Sequence, residues 1–334
     1  MILPGPLDTS VQAAAAALRR GDLLGLPTET VYGLAADADN DAAVAAIFAA
    51  KGRPSDHPLI VHVAEAEAID HFAHSVPAWA RALAQAFWPG PLTLILPRRA
   101  DRAAAAAGGQ ASVGVRCPSH PVAQAVLRAC AHPPAGERVV WGLAAPSANR
   151  FGRVSPTTAA HVRDELGDAL LVLDGGACDV GIESTIIDCT RSVPVLLRPG
   201  AITRAQIEAV CGMAPRSPDE VAEGATPRAS GTLESHYAPT ARVRLMDAKA
   251  LQTGLDLLGS DAAHLAIYAR SPIKARSARV LVRRMPDDAG STARQLFATL
   301  RALDAEEVKL IWIETPPDTP EWEGVRDRLR RAAS

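Results

Sequence analysis

Hydrophobic residues recur in two patterns along residues 1–205. Helical spacing, with apolar residues three and four positions apart, marks segments at 9–20, 40–50, 77–87, 121–131 and 157–166. Short apolar runs that are typical of strands occur at 22–26, 59–63, 92–97, 112–116, 139–144, 169–173, 184–189 and 194–198. This alternation predicts an α/β domain built around a twisted mixed sheet.

Prolines and glycines interrupt the pattern after residue 205, most densely over 212–239, so we assign 206–239 to a linker. Beyond the linker, strand-like runs lie at 241–246, 263–269, 279–284 and 307–313, and helical runs lie at 248–258, 290–303 and 320–331. Residues 240–334 are therefore predicted to form a smaller, Rossmann-like α/β domain, although they lack the glycine fingerprint of a dinucleotide site.

Composition narrows the function classes. The 35 basic and 37 acidic residues among 334 give a formal net charge of −2, so no global field attracts a nucleic acid or a membrane. No apolar run approaches the roughly 20 residues of a membrane span, and the start of the chain lacks a basic signal region. Five cysteines without a closely spaced pair indicate reduced structural thiols. We therefore expect a cytoplasmic protein with no membrane partner.

Cations follow several of the predicted elements. Lys51 and Arg53 close the helix at 40–50, where they either complement the helix dipole or face a phosphate. Arg116 ends the strand at 112–116, where it either binds a carboxylate or forms a surface ion pair. These residues are candidates for a local anion site.

Small and hydroxyl-bearing residues mark three further loops. Residues 27–34 either line a polar pocket or satisfy only their own turn. Residues 144–149, followed by Ser155, either approach a ligand closely or form a capped turn. Residues 235–239 are either part of a site or an aromatic docking point between domains.

Seven short segments together resemble the threonylcarbamoyl-AMP synthase family in its long form, a YrdC-like domain followed by a C-terminal domain. They are Pro-Thr-Glu-Thr-Val-Tyr-Gly-Leu at 27–34, Lys-Gly-Arg-Pro at 51–54, Pro-Leu-Ile-Val-His at 58–62, Ala-Pro-Ser-Ala-Asn at 145–149, Glu-Ser-Thr-Ile at 183–186, Leu-Arg-Pro-Gly at 197–200 and Ser-His-Tyr-Ala-Pro at 235–239. Over 240–334 the resemblance rests on the order of elements.

The resemblance implies a nucleotidyltransferase that makes threonylcarbamoyl-AMP and pyrophosphate from L-threonine, bicarbonate and ATP. It implies that L-threonine is bound by Thr30, His62, Arg116, Ala145 and Ser184. It implies that the nucleotide is bound by Lys51, Arg53, His57, Ser112, Ser147, Asn149, Ser155, Arg198, His236 and Tyr237. Lys51, Arg53 and Arg198, together with Mg²⁺, are the expected catalytic cations. No metal ligands are assigned.

Further expectations concern the linker, the partners and one departure from the family. If His236 and Tyr237 reach the nucleotide, the linker is a lid over a labile adenylate. The product is expected to pass to the machinery that transfers threonylcarbamoyl groups to tRNA, for threonylcarbamoyladenosine. The family more often has asparagine in place of His57, and a histidine there donates to phosphate in a pH-dependent way.

Two alternatives remain open from the sequence. One is an RNA-binding module, in which the cationic run 270–284 contacts tRNA weakly instead of forming a solvated strand face. The other is a carbamoyl-transfer or hydrogenase-maturation protein that shares the YrdC-like domain. The second is disfavoured because paired-cysteine and acylphosphatase-like segments are absent from the sequence.

Overall fold

The computed structural model describes residues 1–221, 227–231 and 237–334. The chain folds into two compact units. The first comprises Met1–Phe151 and the described part of 155–232, and the second comprises Gly152–Val154 and the described part of 233–334.

The first unit is a mixed sheet with helices packed against it. Its strands are β1 (Ile2–Pro4), β2 (Leu24–Leu26), β3 (Gly33–Asp37), β4 (Ile60–His62), β5 (Leu92–Pro97), β6 (Ser112–Arg116), β7 (Leu143–Ala144), β8 (Leu171–Asp174), β9 (Thr185–Asp188) and β10 (Val195–Arg198). Its helices are α1 (Asp8–Arg20), α2 (Asp41–Lys51), α3 (Ile69–Phe72), α4 (Ala78–Phe87), α5 (Pro121–Ala131), α6 (Ala159–Leu166) and α7 (Arg204–Cys211).

The order of strands in this sheet is β1-β8-β2-β3-β7-β4-β6-β5-β9-β10. Parallel pairs such as β4 with β6 and β5 with β9 alternate with antiparallel pairs such as β5 with β6. The strands of the centre are almost wholly buried, and two apolar clusters, one around Phe72 and one around Leu18, fill the space between sheet and helices. Such burial explains the short, continuous apolar runs in the sequence.

The second unit contains β11 (Arg242–Met246), α8 (Ala248–Leu258), β12 (Leu265–Ala269), β13 (Leu281–Arg284), α9 (Ala289–Ala305), β14 (Leu310–Glu314) and α10 (Glu323–Ala333). Its strands pair in parallel in the order β11-β14-β12-β13. Parallel neighbours require helical crossovers, which accounts for the alternation of strands and helices. The predicted fold class, a mixed α/β sheet followed by a smaller α/β domain, is confirmed.

Four elements were not predicted, namely β1, β3, α3 and α7. Strand β3 begins at Gly33, within the 27–34 segment, and is buried along its whole length, so it shows no polar alternation. Helix α7 begins at a Thr203–Gln206 capping box and extends into the segment assigned to the linker. The assignment of the linker itself stays a prediction. Within the described ranges, no helix is long and apolar enough to cross a membrane.

Both ends of helix α2 are defined by specific residues, and this helix carries Lys51 in its last turn. The Asn40 side chain accepts a hydrogen bond from the Ala43 amide at 3.2 Å. Gly52 ends the helix with a φ of 61°, a left-handed conformation that glycine adopts without steric cost. The two caps together fix where Lys51 leaves the helix.

Replacing Asn40 by alanine removes the helix cap, which is worth about 1 kcal/mol. We expect the amides of α2 to exchange with deuterium about fivefold faster in Asn40→Ala than in the natural chain, because local opening becomes easier by that amount. Hydrogen exchange measured by mass spectrometry tests this. Asn40→Ser, which keeps a capping oxygen, is the control, and equal exchange in both variants would contradict the assigned cap.

Candidate active site

A row of polar side chains crosses one end of the central strands. His62, the last residue of β4, pairs in register with Arg116, the last residue of β6. Strand β5 runs antiparallel to β6, with Leu94 opposite Val115, so its beginning lies at the same end of the sheet. Strand β9 is parallel to β5, with Thr185 opposite Leu92, so Ser184 also enters there. Register thus brings together residues that are distant in sequence.

Arg116 is the centre of this row and is only 3% exposed. Its Nε donates to the Gly90 carbonyl at 3.2 Å, and its Nη1 donates to the Thr30 hydroxyl at 2.8 Å. Its Nη2 lies 2.7 Å from Oε1 of Glu29, which is also buried. Arg116 therefore forms a buried ion pair, and the surface ion pair considered from the sequence is wrong.

The loop that carries Thr30 is organised by the hydroxyl of Thr28. This hydroxyl donates to the Val31 carbonyl at 2.6 Å, accepts from the Val31 amide at 3.2 Å, and lies 2.9 Å from the Thr30 hydroxyl. A threonine that bonds its own backbone a few residues on stabilises a tight turn. The turn directs both Glu29 and Thr30 at Arg116, so it does more than satisfy its own backbone.

Ser184 and Arg198 form a second cluster on the neighbouring strands. Arg198 Nε donates to the Ser184 carbonyl at 3.0 Å, and Nη2 donates to the Ser184 hydroxyl at 3.1 Å. Its Nη1 donates to the Ser230 carbonyl at 2.7 Å, and the Ser184 hydroxyl lies 2.7 Å from that of Thr93. Thr93 thereby links this cluster to strand β5 beside Arg116.

The loop after β10 passes too close to β9 for any side chain at Gly200. A Cβ atom there would lie 2.6 Å from the Thr185 amide nitrogen. Close approach of this kind favours glycine. It keeps Arg198, two residues earlier, against the start of β9.

Lys51 ties helix α2 to the loop after β7. Its Nζ donates to the carbonyls of Ser147 and Asn149 at 2.6 and 2.5 Å, and its own carbonyl accepts from the Phe151 amide at 2.9 Å. Burial lowers the pKa of the Lys51 ammonium to about 7, and the positive charge of Arg53 acts in the same direction. The Lys51 side chain therefore changes between its charged and its neutral form near neutral pH.

Arg53 and His57 both contact the Phe151 ring. The Arg53 guanidinium is 5.6 Å from the ring centroid and donates to the Pro58 carbonyl at 3.0 Å. The His57 ring meets Phe151 edge to face at 5.4 Å. Partial burial and the charge of Arg53 lower the pKa of His57, so its ring is mainly neutral at pH 7.

The remaining predicted residues are distributed as follows. Ala145 donates its amide to the Ile60 carbonyl at 3.0 Å, beside the start of β4. The Ser155 hydroxyl donates to the Glu183 carboxylate, and both side chains are buried. Ser112 begins β6, at the opposite end of that strand from Arg116, in a small groove with Ser230.

Two predicted nucleotide contacts lie within the segment assigned to the linker, 206–239. His236 falls outside the described residues. Tyr237 belongs to the second unit, where its buried ring packs 5.4 Å from the Phe297 ring and 5.4 Å below the Arg328 guanidinium. Its role in nucleotide binding stays a prediction, as do the roles of the other site residues.

The sequence included Glu29 only as part of the 27–34 segment, as a carboxylate that could line a polar pocket, and it gave Thr93 no role. Thr93 lies within an apolar strand, and only the pairing of β5 with β6 and β9 brings it to the site.

Comparison with known proteins identifies the relatives of this chain. A family model described as telomere recombination, for Sua5, YciO and YrdC proteins, matches residues 16–200, and one described as the threonylcarbamoyl-AMP synthase C-terminal domain matches residues 202–334. The threonylcarbamoyl-AMP synthase of Bacillus subtilis is 37% identical over 98% of this chain and 93% of its own length. This chain belongs to the threonylcarbamoyl-AMP synthase family.

Solved structures agree with the family assignment. Pyrococcus abyssi Sua5 complexed with L-threonine is 35% identical and superposes with a TM-score of 0.85 over 97% of this chain and 94% of its own. A double-alanine variant of the same protein gives a TM-score of 0.88 at 33% identity, over 100% of this chain and 96% of its own. The resemblance inferred from the seven segments is confirmed, and the similarity extends through the second unit.

The lowered pKa of Lys51 predicts a specific pH dependence of stability. Below about pH 7 this lysine is protonated in both states, so the cost of burying its charge is fully present. Between about 7 and its ordinary value of 10.5 the unfolded chain binds the additional proton, and the free energy of unfolding rises with pH. We expect the natural chain to gain about 1 kcal/mol per pH unit over Lys51→Met in this window.

Urea unfolding at several pH values measures this difference. Lys249→Met, which removes an exposed lysine, is the matched control and should show no such divergence from the natural chain. Parallel pH profiles for the natural chain and Lys51→Met would show that Lys51 keeps an ordinary pKa in the fold.

Proposed function

We propose that this chain synthesises threonylcarbamoyl-AMP and pyrophosphate from L-threonine, bicarbonate and ATP. The observation that supports this most directly is the buried cluster of Thr30, His62 and Arg116, whose hydroxyl, imidazole and guanidinium suit a small polar zwitterion. It occurs in a chain that resembles, over 97% of its length, a structure described as complexed with L-threonine.

The proposed threonine pocket is completed by Ala145 and Ser184. Burial, and then the positive charge of Arg116, lower the pKa of His62 to about 3. The ring is therefore neutral at physiological pH and acts as a hydrogen-bonding group rather than as a cation. A neutral imidazole beside Arg116 leaves the guanidinium as the positive charge for the substrate carboxylate.

The proposed chemistry needs no nucleophilic side chain. Bicarbonate condenses with the threonine amine to give a carbamate and water, and a carbamate oxygen attacks the α-phosphorus of ATP while pyrophosphate leaves. Because the nucleophile is already an anion, the protein's task is to hold two anions together and to neutralise charge in the transition state. This assigns the chain to the nucleotidyltransferases.

Lys51, Arg53 and Arg198 are the cations proposed to contact the phosphates. In the structure each of them donates to at least one backbone carbonyl, of Ser147, Pro58 and Ser230 respectively. Carbonyl partners fix the direction of a cationic group. The other proposed nucleotide contacts are His57, Ser112, Ser147, Asn149, Ser155, His236 and Tyr237.

Mg²⁺ is proposed to enter with ATP. Among the described residues there is no group of three or more His, Cys, Asp or Glu side chains that could hold a metal ion, so a resident protein site does not fit. Magnesium is commonly bound through substrate phosphates with few protein ligands. We assign it no protein ligand and derive no step through it.

The proposed partners downstream are the machinery that transfers threonylcarbamoyl groups to tRNA and, by way of it, tRNA itself. The proposed location is the cytoplasm. The RNA-binding alternative gains no support from the cationic run 270–284, because Arg270 pairs with Glu314 at 3.2 Å and Arg284 pairs with Asp287 at 2.8 Å. These pairs leave less charge for phosphates.

The reaction is tested by supplying ATP and Mg²⁺ with or without L-threonine and bicarbonate. We expect pyrophosphate release only when both co-substrates are present, and a product with the mass of threonylcarbamoyl-AMP. Serine and valine in place of threonine test the fit to the hydroxyl and the methyl group together. Pyrophosphate release that is independent of the amino acid, or a product built preferentially on serine, would refute the proposal.

Arg198→Lys should lower kcat/KM about tenfold to a hundredfold. A lysine ammonium cannot contact the Ser184 carbonyl, the Ser184 hydroxyl and the Ser230 carbonyl in the fixed geometry of a guanidinium. Steady-state pyrophosphate release measures the effect. Arg204→Lys is the matched control, since Arg204 also donates to a carbonyl and a hydroxyl, those of Pro215 and Ser217 at 3.0 Å each, at the start of α7. An equal loss in both variants would remove Arg198 from the proposed catalytic set.

A further inference from the structure

The ion pair between Glu29 and Arg116 is incomplete. Glu29 is only 5% exposed, yet neither of its carboxylate oxygens has a hydrogen-bond partner of good geometry among the described residues. The same holds for Nη2 of Arg116, although it lies 2.7 Å from Oε1 of Glu29. A buried carboxylate whose hydrogen bonds are incomplete is costly, so a group of this kind points to a ligand or to a partner that completes it.

The chemistry of the pair identifies the kind of ligand that would complete it. Arg116 offers a donor suited to a carboxylate, and Glu29 offers two acceptors suited to an ammonium group. An α-amino acid carries both of these charges, on two groups attached to the same carbon atom. The pair is therefore complementary to the zwitterion as a whole rather than to its carboxylate alone.

Neighbouring groups support this role for Glu29. Burial alone would raise the pKa of Glu29, but the charge of Arg116 and its contact with the carboxylate hold it below the ordinary value, so Glu29 is ionised at neutral pH. His62 is neutral and does not compete for the carboxylate. The turn built on Thr28 holds the backbone of Glu29 in place, and the Val180 amide donates to its carbonyl at 2.7 Å.

We propose that Glu29 binds the α-amino group of the amino-acid substrate, while Arg116 binds its carboxylate. Glu29 thereby selects amino acids over hydroxy acids and holds the amine where bicarbonate reacts with it. This inference rests on the proposed function and adds to it a residue to which the sequence assigned no individual contact with the substrate.

Binding of ligands in bicarbonate-depleted buffer without ATP tests the proposal, because no turnover then occurs. The probes are L-threonine and (R)-3-hydroxybutanoate, which keeps the carboxylate and the hydroxyl but lacks the amine. We expect the natural chain to bind L-threonine at least about tenfold more tightly than the hydroxy acid. In Glu29→Gln this preference should disappear, because L-threonine loses about tenfold to a hundredfold in affinity and the hydroxy acid loses little.

The outcomes separate recognition from mere support of Arg116. If Glu29 only positions Arg116, Glu29→Gln weakens both ligands equally, and the proposal is overturned. Equal binding of the two ligands by the natural chain overturns it without any variant. Failure of the natural chain to bind L-threonine at all would instead refute the proposed function.

A matched control tests for a general effect of removing a buried charge. Asp188, at the far end of β9, is a fully buried carboxylate 3.2 Å from Nε of Arg191. Asp188→Asn should keep the preference for L-threonine. Loss of the preference in both variants would show that it depends on stability rather than on Glu29. Glu29→Asp, which keeps the charge on a shorter side chain, should recover part of the preference.

Discussion

A guanidinium charge buried at the end of strand β6 is the constraint on which the rest of the candidate site depends. Removing such a charge from water costs several kcal/mol unless partners replace its hydration. Arg116 finds those partners in three places, the Gly90 carbonyl, the Thr30 hydroxyl and the Glu29 carboxylate. The loop at 27–31 and the start of β5 must therefore lie against β6, and this requirement fixes the shape of the pocket.

The cations around the proposed nucleotide site replace their lost hydration with different partners. Lys51 and Arg198 are also buried, and each of them donates to two backbone carbonyls, those of Ser147 and Asn149 for Lys51 and those of Ser184 and Ser230 for Arg198. Carbonyl dipoles orient a cation. Burial, and then the positive charge of Arg53, lower the pKa of Lys51 to about 7, whereas a buried arginine keeps its charge. The cluster thus combines one cation whose protonation depends on pH near neutrality, Lys51, with arginines that stay charged.

The sequence predicted the elements better than their pairing. Apolar runs located most strands, and helical spacing located α1, α2, α4, α5 and α6 within a few residues. Strand β3 was missed because a fully buried strand shows no alternation and because it continues a segment that has the residues of a turn. The local pattern of residues predicts most elements, but β3 is recognisable as a strand only from its pairing with the strand on either side.

The local pattern of residues could not predict the contacts across the site, for a related reason. Thr30 and Arg116 are 86 residues apart, and Thr93 and Ser184 are 91 apart, so no spacing in the sequence relates them. The segments could be identified as candidates because loops at strand ends carry hydroxyls and cations. Arg116 shows the limit of that approach. Its sequence neighbours fit a carboxylate-binding residue and a surface ion pair equally well, and only the fold places the buried Glu29 beside it.

The mixed sheet explains why these distant residues converge. In an all-parallel sheet only the carboxyl ends of strands meet at one edge, so a site draws on one kind of strand end. Here β4 is parallel to β6, β5 is antiparallel to β6, and β9 is parallel to β5. The ends of β4 and β6 therefore meet the beginnings of β5 and β9. At this edge Arg116, the last residue of β6, lies beside the hydroxyls of Thr93, near the start of β5, and Ser184, just before β9. A sheet of one direction would separate Arg116 from Thr93 and Ser184 by the length of a strand.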